Sequence, residues 1–250
     1  ISDCLVGSEM CIRDREEYLA LIPAAGMGSR AQQNMAKQFQ KIGAKCLIEY
    51  SIEPFLRDEK CQKICVVLQE EDEIWDSLAI SRSEKIITCD GGTSRMESVH
   101  LGLKCLLETE DKNELIAIHD AARPCLIEAE LNLLLSKAEE EIKNEGDGAF
   151  LAYQPVESVN VVTNGTVKES LERNKIWLSS TPQVFRMIDV YSSIESAIAE
   201  EKIFSDEVSS VSNYLKGQIH AVPCSKSNFK VTRKEDFEVA TKILKEIGRL

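Results

Sequence analysis

The sequence predicts an α/β fold with a mostly parallel central sheet and a β-hairpin arm that projects from it. Short apolar runs alternate with longer amphipathic segments, which is the pattern of consecutive βα units. Asn164-Gly165 interrupts this pattern between two β-prone runs, and Asn-Gly is the strongest short signal for a hairpin. The chain of 250 residues is long enough for one domain of this class with a sizeable core.

The first part of the chain carries the predicted βα units. Five short apolar runs predict buried strands, at Tyr18–Pro23, Ile64–Leu68, Ile86–Cys89, Leu115–His119 and Ala149–Tyr153. Two longer segments, Cys46–Phe55 and Glu128–Lys143, predict helices. A further helix is expected after Gly91-Gly92, because Ser94 and Glu97 have the spacing of a capping box.

Residues 155–177 predict the arm. The run around Val161 and Val162 leads into Asn164-Gly165 and a second β-prone run at Val167. A hairpin inserted this late has no partner strand in the parallel sheet, so we expect it to project. A projecting apolar arm usually packs against another subunit, and we therefore expect a homodimer.

The C-terminal part returns to alternating elements. Ser205-Asp206-Glu207 opens a predicted helix, and short strands are predicted at Ile219–Val222 and Asn228–Val231. Thr232 and Glu235 are expected to cap a last helix. Because the sequence shows no linker or internal repeat, we expect one domain over residues 18–250, behind a disordered and non-native leader at residues 1–17.

Charge excludes two classes of partner. The chain has 30 Lys and Arg against 42 Asp and Glu, a formal net charge of −12. Nucleic acids and anionic membranes bind cationic surfaces, so neither is an expected partner. The apolar stretch from Leu19 to Gly28 is too short to cross a bilayer and contains Pro23.

Cysteine usage indicates a reduced compartment. None of the nine cysteines forms a CxxC pair, and with three scattered histidines no zinc-ligand spacing appears. Several cysteines lie in apolar runs, among them Cys46, Cys65 and Cys105, and are interpreted as small buried hydrophobic residues. We therefore expect a cytoplasmic protein.

A glycine-rich segment, Ala24-Ala25-Gly26-Met27-Gly28-Ser29-Arg30, follows the first predicted strand. Such a loop lets the backbone approach a ligand, and its N–H groups can hold phosphate oxygens. The pattern G-x-G-x-x-A also suggests a dinucleotide site, but the acidic strand end expected about 20 residues later falls within a predicted helix. Arg30 and Lys37 favour a triphosphate ligand, and a tight turn with solvated charges is the alternative.

Asp120 follows a predicted strand, in the segment Ile118-His119-Asp120-Ala121-Ala122-Arg123-Pro124. Open α/β sheets bind ligands at the carboxyl ends of their strands. An acid there can hold a sugar hydroxyl or a metal ion, and Arg123 can reach an anionic group. A structural Asp–Arg pair is the alternative, and His119 is interpreted as a packing residue.

Together these motifs resemble one family, the 2-C-methyl-D-erythritol 4-phosphate cytidylyltransferases of the non-mevalonate isoprenoid pathway. The segments that carry the resemblance are PAAGMGSR, AKQ, GGTSRMESV, IHDAARP, ERNKIW, STPQVF, SDE and NFKVTRKEDF. They run in this order from about residue 20 to the C-terminus. The resemblance implies the Rossmann-like sheet of a nucleotidyltransferase and the transfer of CMP from CTP to methylerythritol phosphate, with Mg²⁺ and release of pyrophosphate.

The resemblance also implies a role for individual residues. Arg30 and Lys37 would bind the triphosphate, and Lys230 would neutralise the α-phosphate and the attacking group. The cytidine pocket would be formed by Ala24, Ala25, Gly26, Gly28, Gly92, Thr93 and Ser98. Asp120 would hold ribose or substrate hydroxyls, and it is also the candidate magnesium ligand.

The remaining implied residues concern the sugar phosphate. Arg123 would lie beside Asp120, and Thr181 and Ser205 would contact the substrate within their own chain. Arg173, carried on the arm, would reach the substrate phosphate in the partner subunit of a homodimer.

Three positions depart from the family pattern. The usual Pro-Lys-Gln is Ala36-Lys37-Gln38, the usual Asp after the glycine pair is Thr93, and the usual Asp-Thr at the start of the arm is Ser158-Val159. The last change removes a hydroxyl that would help to bind the substrate phosphate. A cytidylyltransferase for ribitol 5-phosphate or a related polyol phosphate is therefore one alternative, and a non-catalytic or NAD(P)-binding α/β protein is another.

Overall fold

The structure, a computed structural model, describes residues 16–26, 36–69 and 73–250. Residues 1–15 of the predicted leader lie outside the described residues, as do Gly28, Arg30 and the rest of 27–35. The α/β class predicted from the sequence is confirmed, with a mostly parallel central sheet and small antiparallel hairpin sheets.

The strands form one large sheet and two small ones. In chain order they are β1 Tyr18–Pro23, β2 Lys41–Ile42, β3 Lys45–Cys46, β4 Cys61–Leu68, β5 Ile86–Asp90, β6 Leu115–Ile118, β7 Gly148–Tyr153, β8 Val159–Thr163, β9 Thr166–Leu171, β10 Leu178–Arg186 and β11 Ile219–Pro223. The large sheet has the order β11-β7-β10-β6-β1-β4-β5. Only β10 runs antiparallel to its neighbours within it.

Helices cover both faces of this sheet. The α-helices of the described chain are α1 Leu47–Arg57, α2 Glu73–Ser77, α3 Arg95–Leu107, α4 Glu128–Lys143, α5 Met187–Ala199, α6 Glu207–Tyr214 and α7 Lys234–Glu246. A short 3₁₀ helix at Lys37–Phe39 and another at Arg173–Lys175 matter for the site.

The core is split by the sheet into two apolar layers. Alternate residues of β1 enter different layers, because successive side chains of a strand point to opposite faces. Tyr18, Ala20 and Ile22 pack with the apolar faces of α1 and α4. Leu19 and Leu21 pack with those of α3 and α5. A smaller third cluster joins α1 to α7 and lies under the segment that carries Lys230.

Strand β10 is an element that sequence analysis missed. Its first half reads Leu178-Ser179-Ser180-Thr181-Pro182, a polar run without strand periodicity. It is nevertheless buried from Ser180 onward, because β6 and β7 pair with it on either side. Helix α5, which follows directly, was also missed.

The predicted strand Asn228–Val231 is wrong. This segment has no ladder partner: the Val231 N–H donates to the Ala122 carbonyl at 2.8 Å, and the Asn228 side chain donates to the Thr181 carbonyl at 2.7 Å. The predicted cap of α7 by Glu235 is also displaced by one residue, since the Asp236 carboxylate accepts from the N–H groups of Thr232 and Arg233.

The hairpin arm is present where the sequence predicted it. β8 and β9 pair only with each other and turn at Asn164-Gly165, both with positive φ. Their paired valines Val162 and Val167 are 54% and 56% exposed. The arm therefore carries apolar surface that the described residues leave uncovered.

Across the described residues, no helix combines the length and apolarity that spanning a bilayer requires.

Candidate active site

The candidate site lies at the carboxyl edge of the central sheet. The segments after β1, β5 and β6 leave this edge, and they carry the glycine loop, Gly91-Gly92 and Asp120. Parallel strands place these three segments at one edge, as the sequence predicted. The antiparallel β10 begins at the same edge and brings Ser180 and Thr181 beside them.

The start of the glycine loop is held by a side chain that follows it. The amide of Gln38 is buried and donates to the carbonyls of Ala24 and Gly26, at 2.5 and 3.4 Å. The Ala24 N–H donates to the Val67 carbonyl of β4 at 2.8 Å. Lys37 precedes Gln38, so these bonds fix the start of the loop, Ala24 to Gly26, relative to the lysine.

The second loop packs directly on the first. A Cβ placed on Gly91 would lie 2.2 Å from the Cβ of Ala25, so only glycine permits this approach. The buried Ser98 hydroxyl accepts from the Gly92 N–H at 3.1 Å and donates to the Ser94 carbonyl at 2.8 Å. Ser98 thus orders the backbone of this loop.

Thr93 is tied to the helix that follows it. Its N–H and its hydroxyl both donate to one oxygen of Glu97, each at 2.7 Å. The Ser94 hydroxyl accepts from the Glu97 N–H at 3.1 Å, which confirms the predicted cap by Ser94. Hydrogen bonds from Thr93 and from the Ser94 backbone lower the pKa of Glu97, so the reciprocal half of the predicted box is present and Thr93 adds to it.

Three cations surround Asp120. Its Oδ1 accepts from Arg95 Nε at 3.0 Å, and its Oδ2 lies 3.2 Å from Arg123 Nε and 3.0 Å from Lys230 Nζ. Lys37 contributes a fourth positive charge close enough to be influenced by both Lys230 and Asp120. Sequence positions from 37 to 230 therefore converge on one cationic cluster at the sheet edge.

Electrostatics keep this carboxylate ionised. Burial by itself raises the pKa of Asp120, but Arg95, Lys230 and Arg123 outweigh burial and hold that pKa well below its usual range. Burial lowers the pKa of Lys37, and the neighbouring Lys230 lowers it further, because two ammonium groups repel each other. The four cations of the cluster outnumber the two carboxylates that touch them, Asp120 and Glu207, and this surplus of positive charge suits an anionic ligand.

Arg95 was not singled out by sequence analysis. Its guanidinium binds both oxygens of Glu207, at 2.6 and 3.1 Å, while its Nε binds Asp120. Glu207 is only 2% exposed and opens α6. The sequence signal existed, since Arg95 and Glu207 stand in the quoted motifs GGTSRMESV and SDE, but nothing in the sequence pairs them.

Gln183 holds the start of α6 in place. Its amide nitrogen donates to Asp206 at 3.0 Å, and its amide oxygen accepts from the Val208 N–H at 2.9 Å. Asp206 in turn caps α6 by accepting from the Ser209 N–H at 3.0 Å. The glutamine of STPQVF therefore fixes the helix that presents Glu207 to Arg95.

Arg123 is fixed in the wall of the site. Its Nη1 donates to the Ser180 hydroxyl at 3.0 Å and to the Asn228 carbonyl at 2.8 Å, besides the Nε contact to Asp120. Lys230 lies two residues after Asn228 and is 40% exposed at its side chain. Of the cations that touch Asp120, Lys230 is therefore the one best placed to leave it for a ligand.

Thr181 lies beneath Asp120. Its hydroxyl accepts from the Asp120 N–H at 3.1 Å and donates to His119 Nδ1 at 2.9 Å. This tautomer follows because His119 Nε2 must donate to the Arg123 carbonyl, 3.1 Å away. His119 is fully buried, and burial lowers its pKa to about 4. The interpretation of His119 as a packing residue agrees with this arrangement, while the role of Thr181 in substrate binding stays a prediction.

Two predicted substrate contacts stand apart from this cluster. Arg173 is exposed on the arm, where its guanidinium donates to the Val156 carbonyl at 2.5 Å. Within the described chain, no hydrogen bond or ion pair joins Arg173 to Asp120 or to the cations around it. Ser205 is exposed just before the cap Asp206. Gly28 and Arg30 lie outside the described residues, so their predicted roles stay predictions.

The carboxylates of the site do not fit a magnesium ion. Both oxygens of Asp120 face cations, and both oxygens of Glu207 bind Arg95. Those of Asp206 accept from Ser209 and Gln183. A hard cation binds carboxylate oxygens directly, and the cations that these oxygens already hold would repel it. The assignment of Asp120 as a magnesium ligand therefore does not agree with the arrangement of these residues.

Comparison with known proteins gives a consistent result. The family model for 2-C-methyl-D-erythritol 4-phosphate cytidylyltransferase matches residues 18–246. The proteins of that name from Idiomarina loihiensis and Vibrio atlanticus are 35% and 30% identical to this chain. These alignments cover 89% and 90% of this chain and 89% and 94% of the relatives.

Solved structures agree. The crystal structure of the Francisella tularensis 2-C-methyl-D-erythritol 4-phosphate cytidylyltransferase superposes with a TM-score of 0.78 at 27% identity. It covers 92% of this chain and all of the other. These proteins carry the description of the family that the sequence motifs resemble.

Proposed function

The chain belongs to the 2-C-methyl-D-erythritol 4-phosphate cytidylyltransferase family, and we propose that it transfers CMP from CTP to the phosphate of methylerythritol phosphate by direct in-line attack. The products are the CDP derivative and pyrophosphate. The observation that carries this proposal is the convergence of Arg95, Arg123, Lys230 and Lys37 around one carboxylate at the ligand-binding edge of the sheet.

Such a reaction needs no nucleophile from the protein. The substrate phosphate oxygen attacks the α-phosphorus, the bond to the bridging oxygen breaks, and pyrophosphate leaves with that electron pair. Negative charge is present on both reacting groups and is redistributed as the bond breaks. Fixed cations aimed at these oxygens lower the barrier by positioning and by charge stabilisation.

Lys230 and Lys37 have the position for this work. Lys230 is partly exposed, and its ammonium touches Asp120. A phosphate oxygen can replace this carboxylate as the partner of the ammonium. Lys37 is anchored by Gln38 next to the glycine loop. We assign Lys230 to the α-phosphate and Lys37, with Arg30, to the rest of the triphosphate.

The two loops serve the nucleotide. Ala25 and Gly91 touch, and Ser98 holds the Gly92 N–H, so the backbone here is ordered before any ligand arrives. We assign the surface formed by these two loops, called the nucleotide floor below, to the cytidine base and ribose. Asp120 is held ionised by its cations and can accept hydrogen bonds from hydroxyl groups of ribose or of the acceptor.

The arm is proposed to complete the site of a second subunit in a homodimer. Two observations support this: the arm exposes paired valines, and its Arg173 makes no contact with the Asp120 cluster of its own chain within the described residues. A second copy would cover the valines and receive Arg173 at its acceptor phosphate.

We also propose that a divalent cation, Mg²⁺, accompanies CTP. Because the described carboxylates of the site are already occupied by cations and hydrogen-bond donors, the phosphate oxygens of CTP, instead of protein groups, would bind this ion. No step above depends on this ion. A cytoplasmic location is proposed on the free thiols of all the described cysteines.

Ribitol 5-phosphate or a related polyol phosphate is the second candidate acceptor. Val159 begins β8 of the arm, at the position where the family pattern has a threonine that would help to bind the substrate phosphate. A pyrophosphate-release assay with CTP, Mg²⁺ and each polyol phosphate in turn decides between the acceptors. Turnover with ribitol 5-phosphate alone would overturn the first proposal.

A non-catalytic or NAD(P)-binding protein is tested separately by heat denaturation. CTP with Mg²⁺ is expected to raise the melting temperature, because a ligand that binds only the native state stabilises it. NAD(P)H is expected to leave the melting temperature unchanged, and a shift with NAD(P)H instead of CTP would contradict the proposed function.

A further inference from the structure

Three cysteines meet in the structure, and two of them, Cys65 and Cys105, were interpreted from the sequence as small hydrophobic residues. Cys65 lies on β4, Cys89 on β5 and Cys105 on α3. Their sulfur atoms all lie within 4.8 Å of one another, and Cys65 Sγ is 3.8 Å from Cys89 Sγ. No sequence spacing marks them, because three different elements carry them.

The spacing of the sulfurs matches metal coordination. With Zn–S bonds of about 2.3 Å, two thiolates of a tetrahedral site lie about 3.8 Å apart. Three such ligands leave a fourth position for water. Soft sulfur donors select Zn²⁺, Cd²⁺ or Cu⁺ over Mg²⁺, which prefers oxygen.

The cluster has a route to solvent. β5 is the edge strand of the central sheet, and α3 covers the face from which Cys65 and Cys89 project. Cys65 is fully buried, whereas Cys89 and Cys105 are partly exposed. An ion can therefore enter between the edge strand and the helix without opening the core.

We propose that Cys65, Cys89 and Cys105 form a binding site for one thiophilic metal ion of the Zn²⁺ or Cd²⁺ type, separate from the cytidylyltransferase site. Each thiol that binds as a thiolate releases one proton to the solvent, and no electron is transferred. The bound ion links β4, β5 and α3. These elements flank the Gly91-Gly92 loop, so the ion stabilises the scaffold of the nucleotide floor.

A disulfide explains this geometry less well. Cys65 pairs in register with Ile87, and Cys89 pairs with Val67, so the two cysteines are diagonal neighbours on adjacent parallel strands. A disulfide needs sulfurs about 2.05 Å apart and Cα atoms within about 7 Å. Pairing along both strands holds the sulfurs at 3.8 Å, a separation that a metal ion bridges without moving either strand.

Binding of Cd²⁺ to the full-length chain tests the site. The background carries Cys4→Ser and Cys11→Ser, which remove the two cysteines outside the described residues. Equilibrium dialysis gives the stoichiometry, and the ultraviolet thiolate-to-cadmium band shows sulfur ligation. We expect one Cd²⁺ per chain, no competition from excess Mg²⁺, and a rise in melting temperature of about 5 °C at a hundredfold excess over Kd.

Variants locate the bound ion. Cys89→Ser and Cys105→Ser replace partly exposed residues, and each is expected to weaken Cd²⁺ binding at least tenfold and to reduce the thiolate band. Cys224→Ser, a partly exposed thiol outside the cluster, is the matched control and should bind like the background. Cytidylyltransferase activity without added Cd²⁺ reports that each variant is folded.

Cys105→Ala provides a second test if the serine variant folds poorly. The proposal is overturned if the background binds no Cd²⁺, or if the Cys89 and Cys105 variants bind it as tightly as the Cys224 control. Neither result bears on the proposed transferase function, which the pyrophosphate assay measures independently.

Discussion

Arg95 and Glu207 form a two-point ion pair between residues 112 positions apart in the chain. Each is the first residue of its helix, Arg95 of α3 and Glu207 of α6. A cation at a helix N-terminus is disfavoured by the helix dipole, and Glu207 and Asp120 offset this cost at Arg95. The pair therefore fixes the orientation of the guanidinium that holds Asp120.

Glu207→Gln is expected to lower the free energy of unfolding by about 3 kcal/mol, because it leaves a buried guanidinium with one carboxylate instead of two. Arg95 then competes more strongly for Asp120, so kcat should also fall, by about tenfold. Urea denaturation and steady-state kinetics measure the two effects. Asp189→Asn removes the more exposed pair with Arg186 and should cost under about 1 kcal/mol. Equal losses in both variants would refute the role of Arg95.

Lys230→Ala is expected to reduce kcat/KM by about 10²- to 10³-fold, because an ammonium aimed at the reacting phosphates is lost. Its free energy of unfolding should change by less than about 1 kcal/mol, since Asp120 keeps two arginines and Lys230 is partly exposed. Lys226→Ala, a nearby exposed lysine over the Tyr153 ring, is the control and should keep its rate. Near-normal turnover in Lys230→Ala would contradict the assignment of Lys230 to the α-phosphate.

Gly91→Ala is expected to raise the KM for CTP and to cost about 1–3 kcal/mol of stability, because the new Cβ collides with Ala25. The double variant Gly91→Ala with Ala25→Gly removes that collision and should recover part of both losses. Recovery stays partial, since the Ser98 hydroxyl and the Leu68 carbonyl are also close to the added carbon. CTP-dependent kinetics and melting curves provide the measurement, and the absence of any recovery would count against loop contact as the cause.

The low pKa of His119 predicts that the free energy of unfolding decreases in acid. Its pKa is about 4 in the folded chain and about 6.5 when unfolded, so between these values the unfolded chain binds the extra proton. The stabilising contribution is complete above pH 6.5 and is lost as pH falls, by about 2 kcal/mol between pH 7 and pH 5. Urea denaturation at both pH values measures it. His119→Asn should flatten this pH dependence even if the variant is less stable throughout, and an unchanged slope would rule out His119 as its source.

Arg173→Ala is expected to raise the KM of the sugar phosphate more than that of CTP. If the arm crosses between subunits, mixing it with Lys37→Ala restores one intact site in each mixed dimer, and co-expression should recover about a quarter of the wild-type rate. Lys37→Ala mixed with Lys230→Ala is the control, since both residues are assigned to the site of their own chain. Recovery in the control, or none in the test pair, would exclude a shared site.

The sequence predicted those helices and strands whose own residues show a clear apolar pattern. The boundaries of β1 and α4 agree with the prediction. β1 is an uninterrupted apolar run, and α4 has apolar residues at helical spacing along its whole length. β10 was missed because its polar first half is buried only through pairing with β6 and β7. The predicted strand Asn228–Val231 is absent because this segment binds the backbone of other elements instead, as the side chain of Asn228 does at Thr181.

Residues of the cationic cluster were singled out from the sequence one by one, but the contacts between them were not predicted. Asp120, Arg123, Lys37 and Lys230 were singled out, and the structure brings these four together. The ion pair of Arg95 and the cluster of three thiols depend on how α3 packs against distant elements, which no spacing in the sequence encodes. Such contacts follow from topology, and they appear only once the sheet order is known.

Because β10 runs antiparallel to β7, the arm leaves and re-enters the sheet at the same place. The arm leaves the sheet after Tyr153 and returns at Leu178, and these two residues face each other across adjacent strands. Its ends are already joined, so its length and sequence can change without altering the register of any strand. The arm is proposed to bind the acceptor phosphate, and on that assignment an exchanged arm is expected to change the acceptor preference without changing the loops assigned to the nucleotide.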